Sequence, residues 1–135
     1  MTMAAALLAE RVGEILALSH LHETQPWGFD SPNTFLNAAL IIETPLKPFE
    51  LLEAIKAIEN EMGRKEKTTN SYKDRIIDID ILIYEDAVFQ SEELTLPHPL
   101  MHKRNFVIVP LAEIAPTLVH PTLKKTIQDI FLSLS

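Results

Sequence analysis

The chain has 135 residues, 47 % of them apolar and 23 % charged, with no cysteine, three glycines and a formal net charge of −7. Length and balance indicate a single globular domain over residues 1–135, neither disordered nor held by disulfides. They exclude thiol and thiolate–metal chemistry, a glycine-rich phosphate loop, and a general nucleic-acid surface, which needs clustered cations.

The first predicted element runs from residue 3 to about 18. Leu8, Val12, Ile15 and Leu16 fall at helical spacing with Glu10, Arg11 and Glu14 between them, which predicts an amphipathic helix. The opening residues lack a basic segment followed by an apolar core, and no apolar run reaches the ~18 residues of a membrane span. The reading is therefore cytoplasmic, with no membrane partner. Residues 18–24 alternate apolar and polar and predict a strand. Residues 25–33 are turn-rich and carry Trp27 and Phe29, and residues 35–43 predict a second strand. A helix follows over about 48–62, with Leu51, Ile55, Ile58 and Met62 on one face and Gly63 as its C-cap.

Residues 64–75 are polar, basic and without periodicity, and predict a loop. Residues 76–84 predict the clearest strand in the chain. Glu85 and Asp86 turn the chain, and 87–89 with 94–96 predict a short hairpin. Pro97-His98-Pro99 is rigid, 102–111 predicts a short helix, and a last helix spans about 124–133. The order α-β-β-α-β predicts a two-layer α+β domain, one strand short of the β-α-β-β-α-β unit.

Chemistry concentrates around the strand at 76–84. With period two, Ile77, Ile79, Ile81 and Ile83 form a core face, and Asp78 and Asp80 share the other, with Cβ atoms ~7 Å apart. Paired carboxylates repel unless a cation lies between them, and a hard ion such as Mg²⁺ suits them. A solvated outer sheet face is the plainer alternative. Residues 64–75 hold five cations and two anions, a local +3 ahead of the acidic pair. That combination suits a magnesium–triphosphate, with phosphate oxygens on Arg and Lys. His98 and His102 are four apart, but Pro99 argues against one helix carrying both as metal ligands. A phosphate-facing His98 with Arg104 is the better reading. Phe35 and Asn37 share a strand face, where a ring beside an amide suits a flat heterocycle or a strand end at the core.

Taken together, these segments resemble the hydroxymethyl-dihydropterin pyrophosphokinase family of folate synthesis. The resemblance runs through Thr24-x-Pro26-x-Gly28, Phe35-Leu36-Asn37-Ala38-Ala39, Glu59 with Gly63-Arg64, and Arg75-x-x-Asp78-Ile79-Asp80-Ile81-Leu82. It continues through Leu94-Thr95-Leu96-Pro97-His98-Pro99, Arg104-x-Phe106 and Pro110-Leu111-x-Glu113-Ile114-Ala115-Pro116. It implies transfer of the terminal diphosphate of ATP to the hydroxymethyl group of a reduced pterin, with release of AMP. It implies a ferredoxin-like sandwich, with an antiparallel sheet, helices on one face and a C-terminal helix. By matching positions, Asp78 and Asp80 would hold two Mg²⁺ ions and Arg64 and Arg75 would clamp phosphate. Glu59, Lys67, Thr95, His98 and Arg104 would complete the ATP site. Phe35 and Phe106 would sandwich the pterin, Asn37 would read its edge, and Thr24, Pro26 and Trp27 would close that pocket. The segments around Trp27 and over 64–75 would cover the substrates.

The chain departs from the family pattern at Glu66, where many members carry an arginine, and at Glu93, where some do. Lys67 is the cation that would replace the first. The family's first strand and Gly-Ser-Asn-Leu-Gly turn are missing from this chain. One expectation is a start upstream of Met1. If the short form is real, the resemblance implies oligomers paired through open sheet edges, or weak or absent catalysis. A non-catalytic small-molecule module on the same fold is the alternative from another class.

Overall fold

A computed structural model of the chain describes residues 2–24, 35–68 and 78–134. Helix α1 spans Thr2–Arg11 and is followed by strand β1, Glu14–Leu18. The helix predicted to residue 18 thus stops seven residues early. Residues 14–18 satisfy alternation as well as helical spacing, and pairing with a distant strand decides between them. That partner is β4, Leu40–Glu43, which lies antiparallel with Glu14 opposite Glu43 and Leu18 opposite Leu40. The register shifts between Ile15 and Ala17, the mark of a bulge.

Gly13 makes the corner between α1 and β1. A Cβ there would stand 1.9 Å from the Glu43 carbonyl oxygen, so only glycine lets the two backbones approach this closely. The Thr44 hydroxyl, next along from β4, donates to the Val12 carbonyl at 2.6 Å and fastens the same corner.

The predicted strand over 18–24 is β2, His22–Thr24, and the one over 35–43 divides into β3, Phe35–Asn37, and β4. β2 and β3 pair antiparallel, with His22 opposite Asn37 and Thr24 opposite Phe35. The hairpin is present as β5, Phe89–Gln90, against β6, Thr95–Leu96. The described strands therefore form three two-stranded antiparallel sheets with helices around them, an α+β arrangement.

Helix α2, Pro48–Thr68, is longer than its sequence suggests. Pro48 occupies the first helical position, where its missing N–H costs nothing. The Glu50 carboxylate accepts from the Lys47 backbone N–H at 2.9 Å, half of a capping box. Leu51, Ile55 and Ile58 are buried on one face, as their spacing predicts, and pack with Leu8 and Val12 of the α1 end. Arg11 reaches across to Glu61 at 2.9 Å. Gly63 does not cap this helix: the backbone stays helical through 68, so the predicted loop begins later than 64.

Residues 78–84 form no strand, which corrects the plainest prediction from the sequence. A strand needs a hydrogen-bonded neighbour. Here an apolar slot of about 700 Å³ lies between these residues and β4, lined by Leu40, Ile42, Ile79 and Ile81 among others. The single isoleucine face is corrected as well. Ile79, Ile81 and Tyr84 pack on the α1–α2 core, whereas Leu82 and Ile83 turn to a second core. The Tyr84 hydroxyl donates to the Leu46 carbonyl at 2.6 Å and fixes that twist.

The second core gathers Ala39, Met101, Ile108, Leu111, Ala115, Ile127 and Ile130. The helix predicted over 102–111 is a 3₁₀ turn, Met101–Lys103, followed by α3, Asn105–Ile114. Arg104 separates the two in an extended conformation, φ −116° and ψ 112°. Helix α4, Ile127–Ser133, starts on Thr126, whose hydroxyl accepts from the Asp129 N–H at 3.1 Å. Between α3 and α4 a turn folds around buried His120, whose Nδ1 accepts from the N–H groups of Thr122 and Leu123 at 3.2 and 3.0 Å. Both distances fix the ring proton on Nε2. That atom is buried beside His102, and among the described residues neither it nor the His102 Nδ1 has a hydrogen-bond partner, the rings lying 6.1 Å apart edge to face.

Candidate functional site

Asp78 and Asp80 are both exposed, with half-buried Ile79 between them. Exposure thus alternates over 78–80 although no strand forms. Glu59 comes up beneath them from the buried side of α2. Its Oε2 accepts from the Ile79 N–H at 2.6 Å, which fastens the backbone between the two aspartates to the helix. Burial pushes the Glu59 carboxyl above its ordinary range. The Ile79 hydrogen bond opposes this, and the neighbouring charges of Asp78 and Asp80 add to the rise. Three acidic groups thus lie within electrostatic reach of one another.

The segment continues into the site's second part. The Leu82 carbonyl accepts from the His98 N–H at 2.8 Å, so the Pro97–His98–Pro99 stretch is tied to the same backbone as the aspartates. The His98 Nδ1 accepts from the Leu100 N–H at 3.3 Å. Thr95 lies on β6, and its hydroxyl contacts the Ser91 carbonyl at 3.4 Å. Glu59, Asp78, Asp80 and His98 are therefore linked through one short stretch of chain.

A second group is built on α3. Phe106, in its first turn, is 41 % exposed, and the Arg104 guanidinium lies over its ring, 5.6 Å from the centroid. The sequence reading sends Arg104 to phosphate; the structure sets it on a candidate stacking ring. Asn37 is half-buried on β3, which with β2 packs on α3. Phe35 and Thr24 are placed by their backbones at opposite positions of that strand pair. Pro26, Trp27, Arg75 and the side chains of Arg64 and Lys67 lie outside the described residues. The backbones of Arg64 and Lys67 continue α2 past the end of the predicted helix.

Sequence reasoning assigned no role to Glu113, near the end of α3. Its Oε1 lies 2.8 Å from His22 Nε2, and its Oε2 lies 2.6 Å from His20 Nδ1 and accepts from the His20 N–H at 3.0 Å. The His22 ring, then the His20 backbone and ring, hold the Glu113 carboxyl at about 2, well below its ordinary value. A signal was present, because Phe106 and Glu113 are two turns apart on one helical face. The partners, more than 90 residues earlier, were not legible.

The fit of the aspartates to a metal follows from this geometry. Among the described residues no three carboxylate or imidazole groups close into a cage for an ion. Two exposed carboxylates suit a hard cation that takes its remaining oxygens from water and substrate phosphate.

Among known proteins, the sequence profile described as 7,8-dihydro-6-hydroxymethylpterin-pyrophosphokinase (HPPK) matches residues 1–116. A 2-amino-4-hydroxy-6-hydroxymethyldihydropteridine pyrophosphokinase of Porphyromonas gingivalis is 48 % identical over 125 residues, covering 90 % of this chain and 83 % of the relative. One of the same description from Aquifex aeolicus is 43 % identical over 116 residues, covering 86 % and 71 %. The folic acid synthesis protein FOL1 of Dictyostelium discoideum is 42 % identical over 120 residues, which are 89 % of this chain and 18 % of that longer protein.

Proposed function

The chain belongs to the 7,8-dihydro-6-hydroxymethylpterin-pyrophosphokinase family, and we propose how its residues perform that family's reaction. The enzyme transfers diphosphate from ATP to the hydroxymethyl group of 6-hydroxymethyl-7,8-dihydropterin and produces AMP, a step of folate synthesis. A bond forms between the pterin hydroxyl oxygen and the β-phosphorus of ATP. The bond from that phosphorus to the α-phosphate oxygen breaks, AMP carries away the electron pair, and the hydroxyl proton is released to water.

Asp78 and Asp80 would hold Mg²⁺, two ions in the reading from the resemblance. Bound there, Mg²⁺ supplies positive charge to the crowded phosphate oxygens and orients them. Glu59 positions the aspartates by fixing the Ile79 backbone. Arg64, Lys67 and Arg75 would take the phosphate charge that two acidic side chains cannot. His98, tied to the same segment through Leu82, would face the nucleotide with Thr95 and Arg104. Phe106 has an exposed ring on which a pterin can stack, and Asn37 has an amide to read its edge. Phe35, Thr24, Pro26 and Trp27 complete the proposed pocket.

For the fold, we propose the ferredoxin-like sandwich. The supporting feature is the apolar slot between β4 and residues 78–84, where one more strand would join them in a sheet. The β4 edge away from β1, unpaired among the described residues, also supports self-association by strand pairing.

The exposed Asp78–Asp80 pair over Glu59 carries the reading of the site. Asp80→Ala is expected to lower AMP formation by about a hundredfold or more. Pterin binding, followed by calorimetry, should remain. Turnover at the wild-type rate in that variant, at any magnesium concentration, would refute the assignment.

A further inference from the structure

Glu113 touches none of the groups proposed to bind substrate, yet it holds the strand that carries one of them. β2 and β3 form a two-stranded sheet with no third strand among the described residues. A ribbon this small is marginal by itself and needs docking. The docking is polar and specific: one carboxylate takes His22 with one oxygen, and the backbone and ring of His20 with the other. An ionised carboxylate only accepts, so both rings donate to it.

His22 lies directly opposite Asn37 in the register of the pair. Glu113 is seven residues beyond Phe106, about 10 Å along α3 and on the same helical face. One face of one helix therefore presents the stacking ring at one end and, at the other, anchors β2, the strand paired with the one that carries Asn37.

We propose that Glu113 is a positioning residue for the pterin pocket, setting the placement of Asn37 relative to Phe106 through its hydrogen bonds to His22 and His20. The proposal rests on the reading of Asn37 and Phe106 as pterin contacts. Loss of the clamp leaves both side chains in the protein but releases their relative placement, which weakens pterin binding without touching the aspartates or His98. Misplacement of about 1 Å is enough to cost up to roughly a hundredfold in a positioned site.

The test is steady-state kinetics on the full chain, with ATP and 6-hydroxymethyl-7,8-dihydropterin varied separately and thermal melting run in parallel. Glu113→Ala is expected to raise the pterin KM about tenfold or more and leave the ATP KM unchanged. Glu113→Gln, which keeps the shape and one acceptor oxygen, should fall between the two and decides the matter if the alanine variant does not fold. Adding His22→Ala to Glu113→Ala should cause little further change, because both remove one interaction. Equal rises in both KM values, or a lowered melting temperature with an unchanged pterin KM, would overturn the proposal. Asn37→Ala and Phe106→Ala separate it from the reading beneath it. If neither raises the pterin KM, the pocket assignment and this proposal both fall. If they do and the Glu113 variants do not, this proposal falls alone.

Discussion

Gly63→Ala separates two accounts of the end of α2, because they predict opposite signs. In the sequence reading Gly63 caps a helix, a position that favours the left-handed conformation, where alanine costs about 1 kcal/mol. In the structure α2 continues to Thr68, and among the described residues nothing lies within 4 Å of a Cβ built on Gly63. The new methyl group meets no clash and no strain. Alanine is then favoured over glycine by about 0.5–1 kcal/mol, through propensity and a less flexible unfolded chain. Unfolding entropy near 2.1 cal/mol/K per residue amounts to about 0.28 kcal/mol/K for a chain of 135 residues. A gain of that size should raise the melting temperature by roughly 2–4 °C. Calorimetry and urea denaturation of both proteins would read it, the urea midpoint rising with an unchanged slope. A fall in melting temperature would refute the continuous helix, and with it the placement of Arg64 and Lys67 on its last turns.

Two further outcomes follow from the described contacts. Gly13→Ala should destabilise by about 3 kcal/mol or more, because its Cβ would meet backbone on every near side: 1.9 Å from the Glu43 oxygen, 2.8 Å from its carbon and 2.9 Å from the Thr44 Cα. A urea midpoint within error of wild type would show that the corner opens freely. His120 should make stability fall in mild acid. Burial, and then the nearby His102, lower its pKa from the ordinary 6.5, so the unfolded chain binds the extra proton first as pH drops. Its contribution is complete above about pH 6.5 and is lost as the pH falls towards the folded-state value. Unfolding at pH 7.5 and 5.5 should show a smaller pH dependence in His120→Asn than in wild type, and an identical dependence would remove His120 as the cause.

What the sequence made legible were the features set by short-range periodicity. Leu51, Ile55 and Ile58 mark one buried stripe of α2 because side chains three and four apart share a helical face. Asp78 and Asp80 are exposed with half-buried Ile79 between them, the alternation that their spacing predicts. The failures fall where partner choice decides. Residues 14–18 fit helix and strand alike until β4 selects one. Residues 78–84 have the composition of a central strand but lie beside an open slot. The same division runs through the site. Glu59 was assigned to the ATP site only through the resemblance and Glu113 was given no role, and the targets of both were illegible because Ile79 is 20 residues from Glu59 and His22 is 91 from Glu113. Both carboxylates act on the placement of other residues: one fastens the backbone between two aspartates, the other holds β2, the strand paired with the one that bears Asn37. Periodicity can put a binding group on the correct face of its own element. Bringing two elements to a common ligand requires contacts between them, and in this protein two helix carboxylates, half-buried Glu59 and exposed Glu113, supply two of those contacts.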